Sequence, residues 1–167
     1  VTEDRKQEGL ILEDTLVRNL SLPTVHKHRK AGIIDDNFLT KMSEKYIQKL
    51  KVKTTGGLQK AKNLSGGNQQ KIVLGKWLST NPKILILDEP TRGIDVGAKA
   101  EIYKLINELT AQGMAIVLIS SELPEVMGMS DRLLIMYEGR VTGQLLKEEY
   151  TEERVMEYAT GRKVHNE

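Results

Sequence analysis

Several features that often reveal a protein's class are absent from this sequence. There is no cysteine, which excludes disulfide bonds and thiolate metal sites and fits a reducing compartment. No apolar run approaches the roughly 18 residues expected of a membrane-spanning helix. Charged residues follow Val1 almost at once, so no signal peptide is expected, and the missing initiator methionine suggests a fragment or a processed product.

Neither sign of charge prevails. The sequence has 25 Lys and Arg against 23 Asp and Glu, and a formal charge of +2. Composition therefore gives no reason to expect a nucleic-acid partner. The basic run from His26 to Lys30 lacks interleaved aromatic residues, and we interpret it as a solvated face rather than as a metal or nucleic-acid site.

The hydrophobic pattern predicts a mostly helical first part followed by an α/β part. The 167 residues, 39% of them hydrophobic, suffice for one core of ordinary size. The expected elements are helices over 14–22, 35–50 and 65–79, a strand over 83–88, a helix over 97–111, a strand over 114–120, a helix over 122–127, a hairpin over 132–146 and a helix beginning at Thr151. The short apolar runs at 83–88 and 114–120 are typical of strands covered on both faces. This order implies a parallel α/β sheet with an antiparallel edge.

Two carboxylates follow the first of these strands. Ligands of open α/β sheets bind beyond the carboxyl ends of the strands, where Asp88 and Glu89 are expected. A carboxylate pair is costly to bury unless a cation or hydrogen bonds compensate it, and Mg²⁺ with a nucleotide would do so. Taken alone, the pair is more often a strand end meeting solvent, with the two acids as turn and cap residues.

A serine and two glycines open the preceding helix. Glycine lets the backbone approach a ligand closely, and a helix start presents free N–H groups to an anion. Ser65 adds a hydroxyl donor to Gly66 and Gly67. The same pattern by itself is more often an ordinary serine-capped helix.

Together, in this order, the two segments resemble the ABC transporter ATPase family. Leu-Ser-Gly-Gly-Asn-Gln-Gln, which begins at Leu64, resembles the signature motif of the family. Ile-Leu-Ile-Leu-Asp-Glu-Pro-Thr, which begins at Ile84, resembles its Walker B segment. Arg-Gly-Ile-Asp, ending at Asp95, resembles the D-loop, and 116–121 resembles the strand before the switch loop. The resemblance runs from about Val1 to about Gly161. It is nearest to the second ATPase half of tandem importers for ribose, galactose and xylose.

The resemblance implies a fragment of the P-loop NTPase fold and an ATPase that uses ATP and Mg²⁺ in its full-length subunit. It divides the chain into two parts. Residues 1–80 contain a Q-loop remnant, the helical subdomain and the signature helix. Residues 81–167 form an α/β lobe that carries the Walker B, D-loop and switch segments, and the Walker A part is absent. The implied partners are a second ATPase half, a membrane permease and, indirectly, a sugar-binding protein, at the cytoplasmic face of the membrane. The implied site residues are Glu89 and Ser121 for catalysis, Asp88 and Glu3 for the metal, and Ser65, Gly66, Gly67, Asn68, Gln69 and Asp95 for the nucleotide.

Three departures from the family pattern qualify this hypothesis. No Gly-x-x-x-x-Gly-Lys-[Ser/Thr] loop occurs, and the nearest candidate, Gly75-Lys76, lacks its first glycine, so we expect the chain alone to be inactive. Ser121 stands where the family often has histidine and cannot titrate near neutral pH. Glu3 stands where glutamine is usual. Two alternatives stay open: a soluble ABC ATPase without a permease, and a non-catalytic module that only donates its signature motif.

Overall fold

The computed structural model describes residues 1–30 and 33–162, with the side chains of Arg29 and Lys30 left out of the description. The chain forms two compact units, Val1–Val117 and Leu118–Glu167. The division into 1–80 and 81–167 that the sequence motifs imply stays a prediction.

The order of elements confirms the expected fold class, an α/β chain with a parallel pair of strands and an antiparallel hairpin. The helices are α1 (Leu16–Ser21), α2 (Asp36–Lys49), α3 (Gly66–Leu78), α4 (Val96–Ala111), α5 (Leu123–Met129) and α6 (Glu152–Ala159). The strands are β1 (Arg29–Lys30), β2 (Ile33–Ile34), β3 (Ile84–Asp88), β4 (Ala115–Ile119), β5 (Arg132–Tyr137) and β6 (Arg140–Leu146). A π-helical turn, Arg5–Gly9, precedes them.

Helices α1, α2 and α3 pack together in the first unit. The Thr15 hydroxyl accepts a hydrogen bond from the Arg18 N–H, and Asp35 caps α2 in the same way through the Phe38 N–H, so polar side chains fix both helix starts. Helix α1 ends at Ser21, two residues before Pro23, as the sequence indicates. Several apolar side chains of α1 and α3 are fully buried, namely Leu16, Leu20, Ile72, Val73 and Leu74.

Helix α3 approaches α4 so closely that Gly67 admits no side chain. A Cβ at Gly67 would lie 2.4 Å from the Ala98 Cβ. Further along, the Lys71 Nζ donates to the Lys51 carbonyl and forms a 2.7 Å ion pair with Glu101 of α4. These contacts fix the first turn of α3, where the site residues lie, against α4.

The Lys71–Glu101 pair makes stability depend on pH. The hydrogen bond and charge of Lys71 hold the pKa of Glu101 below its ordinary value of 4.5. A lowered carboxyl pKa stabilises the fold above the unfolded value, and this contribution is lost as pH falls through the folded value. Because Glu101 is half exposed, we expect Glu101→Gln to lower the free energy of unfolding by about 0.5 kcal/mol at pH 7.

Urea denaturation at pH 7, 5 and 3 measures this contribution. The difference between the wild type and Glu101→Gln should shrink below pH 4.5 and disappear once Glu101 is protonated in the folded protein. Glu44→Gln, at an exposed glutamate of α2, is the control. A difference for Glu101→Gln of the same size at pH 3 as at pH 7 would show that the charge of Glu101 is not its source.

Strand β3 lies beside β4, and the two run parallel. The backbone of Val1 forms two hydrogen bonds with β3. Its amino group donates to the Ile86 carbonyl, and its carbonyl accepts from the Asp88 N–H. The expectation that β3 is covered on both faces is wrong for the described residues. Leu85 and Leu87 are buried, but Ile84 and Ile86 point to the opposite face and are 61% and 54% exposed.

The second unit contains the expected hairpin. Strands β5 and β6 pair antiparallel, joined by Glu138 and Gly139, both with positive φ, as a tight hairpin turn requires. Helices α5 and α6 pack on the hairpin around a core of Leu133, Ile135, Leu145, Val155 and Tyr158. Within the described part of the chain, no helix has the length and apolar character needed to cross a membrane.

Candidate functional site

The first turn of α3 presents unused hydrogen-bond donors. Ser65 occupies the N-cap position, but its side chain accepts no hydrogen bond from a backbone N–H of the helix. The Ser65 hydroxyl instead accepts from the Asn68 side-chain amide at 2.9 Å. Among the described contacts, none engages the N–H groups of Gly66, Gly67 or Asn68, and the first helical bond is from the Gln69 N–H to the Ser65 carbonyl. This 13-residue helix therefore begins with free donors and the positive end of its dipole.

The amide side chains behind this turn have structural roles. Asn68 accepts from the Lys53 N–H through Oδ1, while its Nδ2 donates to Ser65. Gln69 is 5% exposed, and its amide donates to the Ala61 carbonyl at 3.1 Å. The geometry at Gln69 therefore favours support of the turn over direct contact with a nucleotide, and both nucleotide assignments stay predictions.

A second turn lies against the start of α3. The Arg92 N–H donates to the Glu89 carbonyl, and Gly93 has a φ of +66°. A Cβ at Gly66 would lie 3.4 Å from the Gly93 carbonyl oxygen, so the structure brings these two segments into contact. Asp95 then caps α4 by accepting the Ala98 N–H at 2.9 Å, with its side chain exposed.

The two acids lie at the carboxyl end of β3, as expected. Asp88 and Glu89 are both partly buried, whereas Pro90 and Thr91 behind them are buried. Glu89 has a φ of +44°, a left-handed conformation that costs a non-glycine residue free energy and is concentrated at functional sites. Neither acid is sealed in the interior, so both keep access to a ligand.

Oxygen ligands at a strand end suit Mg²⁺. Proteins bind this ion through one or two carboxylates together with phosphate oxygens of a substrate. Asp88 offers such a carboxylate beside the polar turn at Glu89. No group of three or more metal-ligating side chains occurs in residues 1–30 and 33–162, and a site completed by phosphate oxygens does not require one.

Glu3, the other expected metal ligand, has a charged neighbour. Its carboxylate forms an ion pair with Arg92, and both side chains are about half exposed. This pairing competes with the expected role of Glu3 as a metal ligand, which stays a prediction. Ser121 is exposed and lies in the second unit, two residues after the end of β4. Its expected catalytic role also stays a prediction.

The structure gives Arg5 and Lys76 contacts that the sequence did not indicate. Arg5 donates to the Arg92 and Gly93 carbonyls, although in the sequence it is one of several charged residues without a distinguishing motif. Lys76 is 8% exposed and donates to the Gly9 carbonyl, and burial lowers its pKa. Because Gly75 and Lys76 lie inside α3, they form no phosphate loop. The next residue of α3, Trp77, is 38% exposed.

Comparison with known proteins agrees with this geometry. The family model described as ABC transporter matches residues 2–92, more than half of the chain. The chain is 57% identical to the xylose import ATP-binding protein of Geobacillus kaustophilus and 50% identical to the ribose import ATP-binding protein of Bacillus subtilis. These matches cover 98% and 96% of this chain but only 32% and 33% of the relatives, so the chain spans about a third of their length.

Solved structures give the same fold. One ATP-binding cassette of an ABC transporter superposes with a TM-score of 0.75 at 25% identity, covering 93% of this chain and 66% of that one. The ADP conformation of a cassette superposes with a TM-score of 0.70 at 26% identity, covering 90% of this chain and 64% of that one. With its family match, fold and site geometry in agreement, the chain belongs to the ABC transporter family.

Proposed function

We propose that this chain is part of the ATP-binding subunit of a sugar importer and supplies one signature motif and one pair of catalytic carboxylates. The open start of α3 is the observation that carries the proposal. Three backbone N–H groups and the Ser65 hydroxyl are grouped at the positive end of a long helix, beside the turn that leads to Asp95. Such a group of donors suits a phosphate.

Each residue has a distinct role in this proposal. Ser65, Gly66 and Gly67 bind the terminal phosphate of ATP through the hydroxyl and the free N–H groups of the turn. Asp88 would hold Mg²⁺, and the ion would supply positive charge against the phosphates. Glu89 orients the attacking water and accepts its proton. Asp95 fixes the start of α4 and, with it, the turn that contacts Gly66.

The site is completed by a second ATPase half. The chain has no phosphate-binding loop in its sequence and spans about a third of the length of its relatives. In the proposed arrangement, Ser65 and Gly66 face a nucleotide held by the other half, while Asp88 and Glu89 serve the nucleotide of their own half. Ser121 in place of histidine favours a weaker site on this half, so the signature turn completes the stronger of the two.

The sugars named for the relatives support a proposal for the cargo. One is a xylose import protein and another a ribose import protein, and both sugars are pentoses. We therefore infer a pentose as cargo, with a membrane permease and a sugar-binding protein as partners at the cytoplasmic face of the membrane. Nucleic acid is not expected as a partner, because the charge of the chain is nearly balanced.

Sugar uptake into vesicles tests this function. The full-length subunit is reconstituted with its permease and binding protein, and uptake of radiolabelled xylose and ribose is measured with ATP or ADP. We expect accumulation of one pentose with ATP and none with ADP. Hydrolysis that is indifferent to the permease, together with co-purification with ribosomes, would instead support the soluble alternative.

A further inference from the structure

Three segments distant in sequence meet at the side chain of Arg5. Its Nη1 donates to the Arg92 carbonyl at 2.8 Å, and its Nη2 donates to the Gly93 carbonyl at 3.0 Å. The same Nη2 would lie 3.0 Å from a Cβ placed on Gly66. The guanidinium therefore lies between the Arg92–Gly93 turn and the first turn of α3.

The backbone around Arg5 is itself held in place. Arg5 begins the π-helical turn, whose N-cap Asp4 accepts the Lys6 and Gln7 N–H groups. At the far end of the turn, the Gly9 carbonyl accepts from buried Lys76 of α3. The turn is thus tied to α3 at its end and to the Arg92–Gly93 turn at its start.

A second contact joins the segment around Arg5 to the Arg92–Gly93 turn, and it is made by the side chain of Arg92. The Arg92 side chain pairs with Glu3, while the Arg92 carbonyl accepts from Arg5. Two reciprocal contacts therefore fix the Arg92–Gly93 turn. The Gly93 φ of +66° brings its carbonyl within reach of the guanidinium and of Gly66.

We infer that Arg5 is a positioning residue for ATP hydrolysis, acting through the Arg92–Gly93 turn on the signature turn at Gly66. This inference rests on the proposed function. Arg5 itself touches no phosphate in this account. It keeps the free N–H groups of α3 and the Asp95 cap in one fixed arrangement, which determines how the terminal phosphate is held when it reacts.

The chemistry of the contact requires arginine. A guanidinium presents parallel N–H groups in a rigid fork and can bind two carbonyls at once, whereas the lysine ammonium is a single point charge on a flexible stem. Lysine at position 5 therefore keeps the charge but loses the two-carbonyl contact. A role of Arg5 that depended on charge alone would be restored by lysine, and the positioning role would not.

Kinetics and amide hydrogen exchange on the full-length subunit test the inference. We expect Arg5→Met and Arg5→Lys each to lower kcat for Mg-ATP about 10-fold and to leave KM within about twofold, because the loss falls on the transition state rather than on binding. Exchange in the peptide covering 90–96 should become about 10-fold faster in both variants, because the turn loses its anchor.

Arg18→Met is the matched control, since Arg18 is an exposed arginine of α1 that forms an ion pair with Asp14. It should match the wild type in kcat and in exchange. Full activity in Arg5→Lys, or unchanged exchange over 90–96 in both Arg5 variants, would overturn the inference. If the wild-type subunit hydrolyses no ATP, the proposed function fails, while exchange over 90–96 still decides whether Arg5 anchors the turn.

Discussion

Replacing Ser65 with glutamate in the full-length subunit is expected to reduce ATP hydrolysis at least 100-fold. The substitution places a carboxylate at the open start of α3, where the proposal places a phosphate. Two like charges about 4 Å apart at a protein surface repel by about 4 kcal/mol, which corresponds to a rate factor of roughly 1,000. Initial rates of phosphate release at saturating Mg-ATP measure the loss.

Asn37→Glu controls for the added charge, because Asn37 is exposed in the first turn of α2 and likewise receives a carboxylate near a helix start. Its rate should equal that of the wild type. Ser65→Ala removes one hydrogen bond to a charged group, worth about 1.5 kcal/mol, and should reduce the rate about 10-fold. Wild-type hydrolysis in Ser65→Glu would show that no anion binds at this helix start.

Glu89→Gln is expected to reduce hydrolysis at the site of this half by about 100-fold or more. A positioned general base contributes roughly a factor of 100 to 10,000, and the amide of glutamine cannot accept the proton of the attacking water. Glutamine has nearly the same shape as glutamate, so nucleotide affinity should change less than threefold. Single-turnover hydrolysis, together with fluorescent-nucleotide titration, separates the chemical step from binding.

Glu138→Gln provides a control with matched backbone geometry. Glu138 also has a positive φ, 47° against 44° for Glu89, but lies in the hairpin turn of the second unit. The Glu138→Gln variant should hydrolyse ATP at the wild-type rate. Unimpaired hydrolysis in Glu89→Gln would favour the alternative in which this chain donates only its signature motif to the site of the other half.

The sequence predicted those parts of the fold that local patterns determine. Helix α3 and strand β3 lie within a residue or two of their predicted bounds, because Ser65 marks a helix start and the apolar run ends sharply at Asp88. The hairpin β5–β6 also follows from local signals, since Glu138-Gly139 separates two strand-like runs. The signature and Walker B segments were recognisable for the same reason.

The sequence could not predict features that arise from contacts between distant segments. The two carbonyls that Arg5 binds lie 87 and 88 residues away, and nothing in the local sequence indicates them. The Glu3–Arg92 pair and the inward amide of Gln69 are likewise tertiary contacts. The exposure of one face of β3 could not be predicted, because an apolar run does not reveal which neighbouring segments cover each face.

Thiol labelling tests the central claim, that the start of α3 faces bound ATP. The chain contains no cysteine, so Ser65→Cys introduces one thiol into this part of a subunit whose other cysteines have been replaced. Saturating Mg-ATP should slow maleimide labelling of Ser65→Cys at least 10-fold, while labelling of Asn37→Cys stays unchanged. Equal labelling rates of Ser65→Cys with and without Mg-ATP would contradict the account.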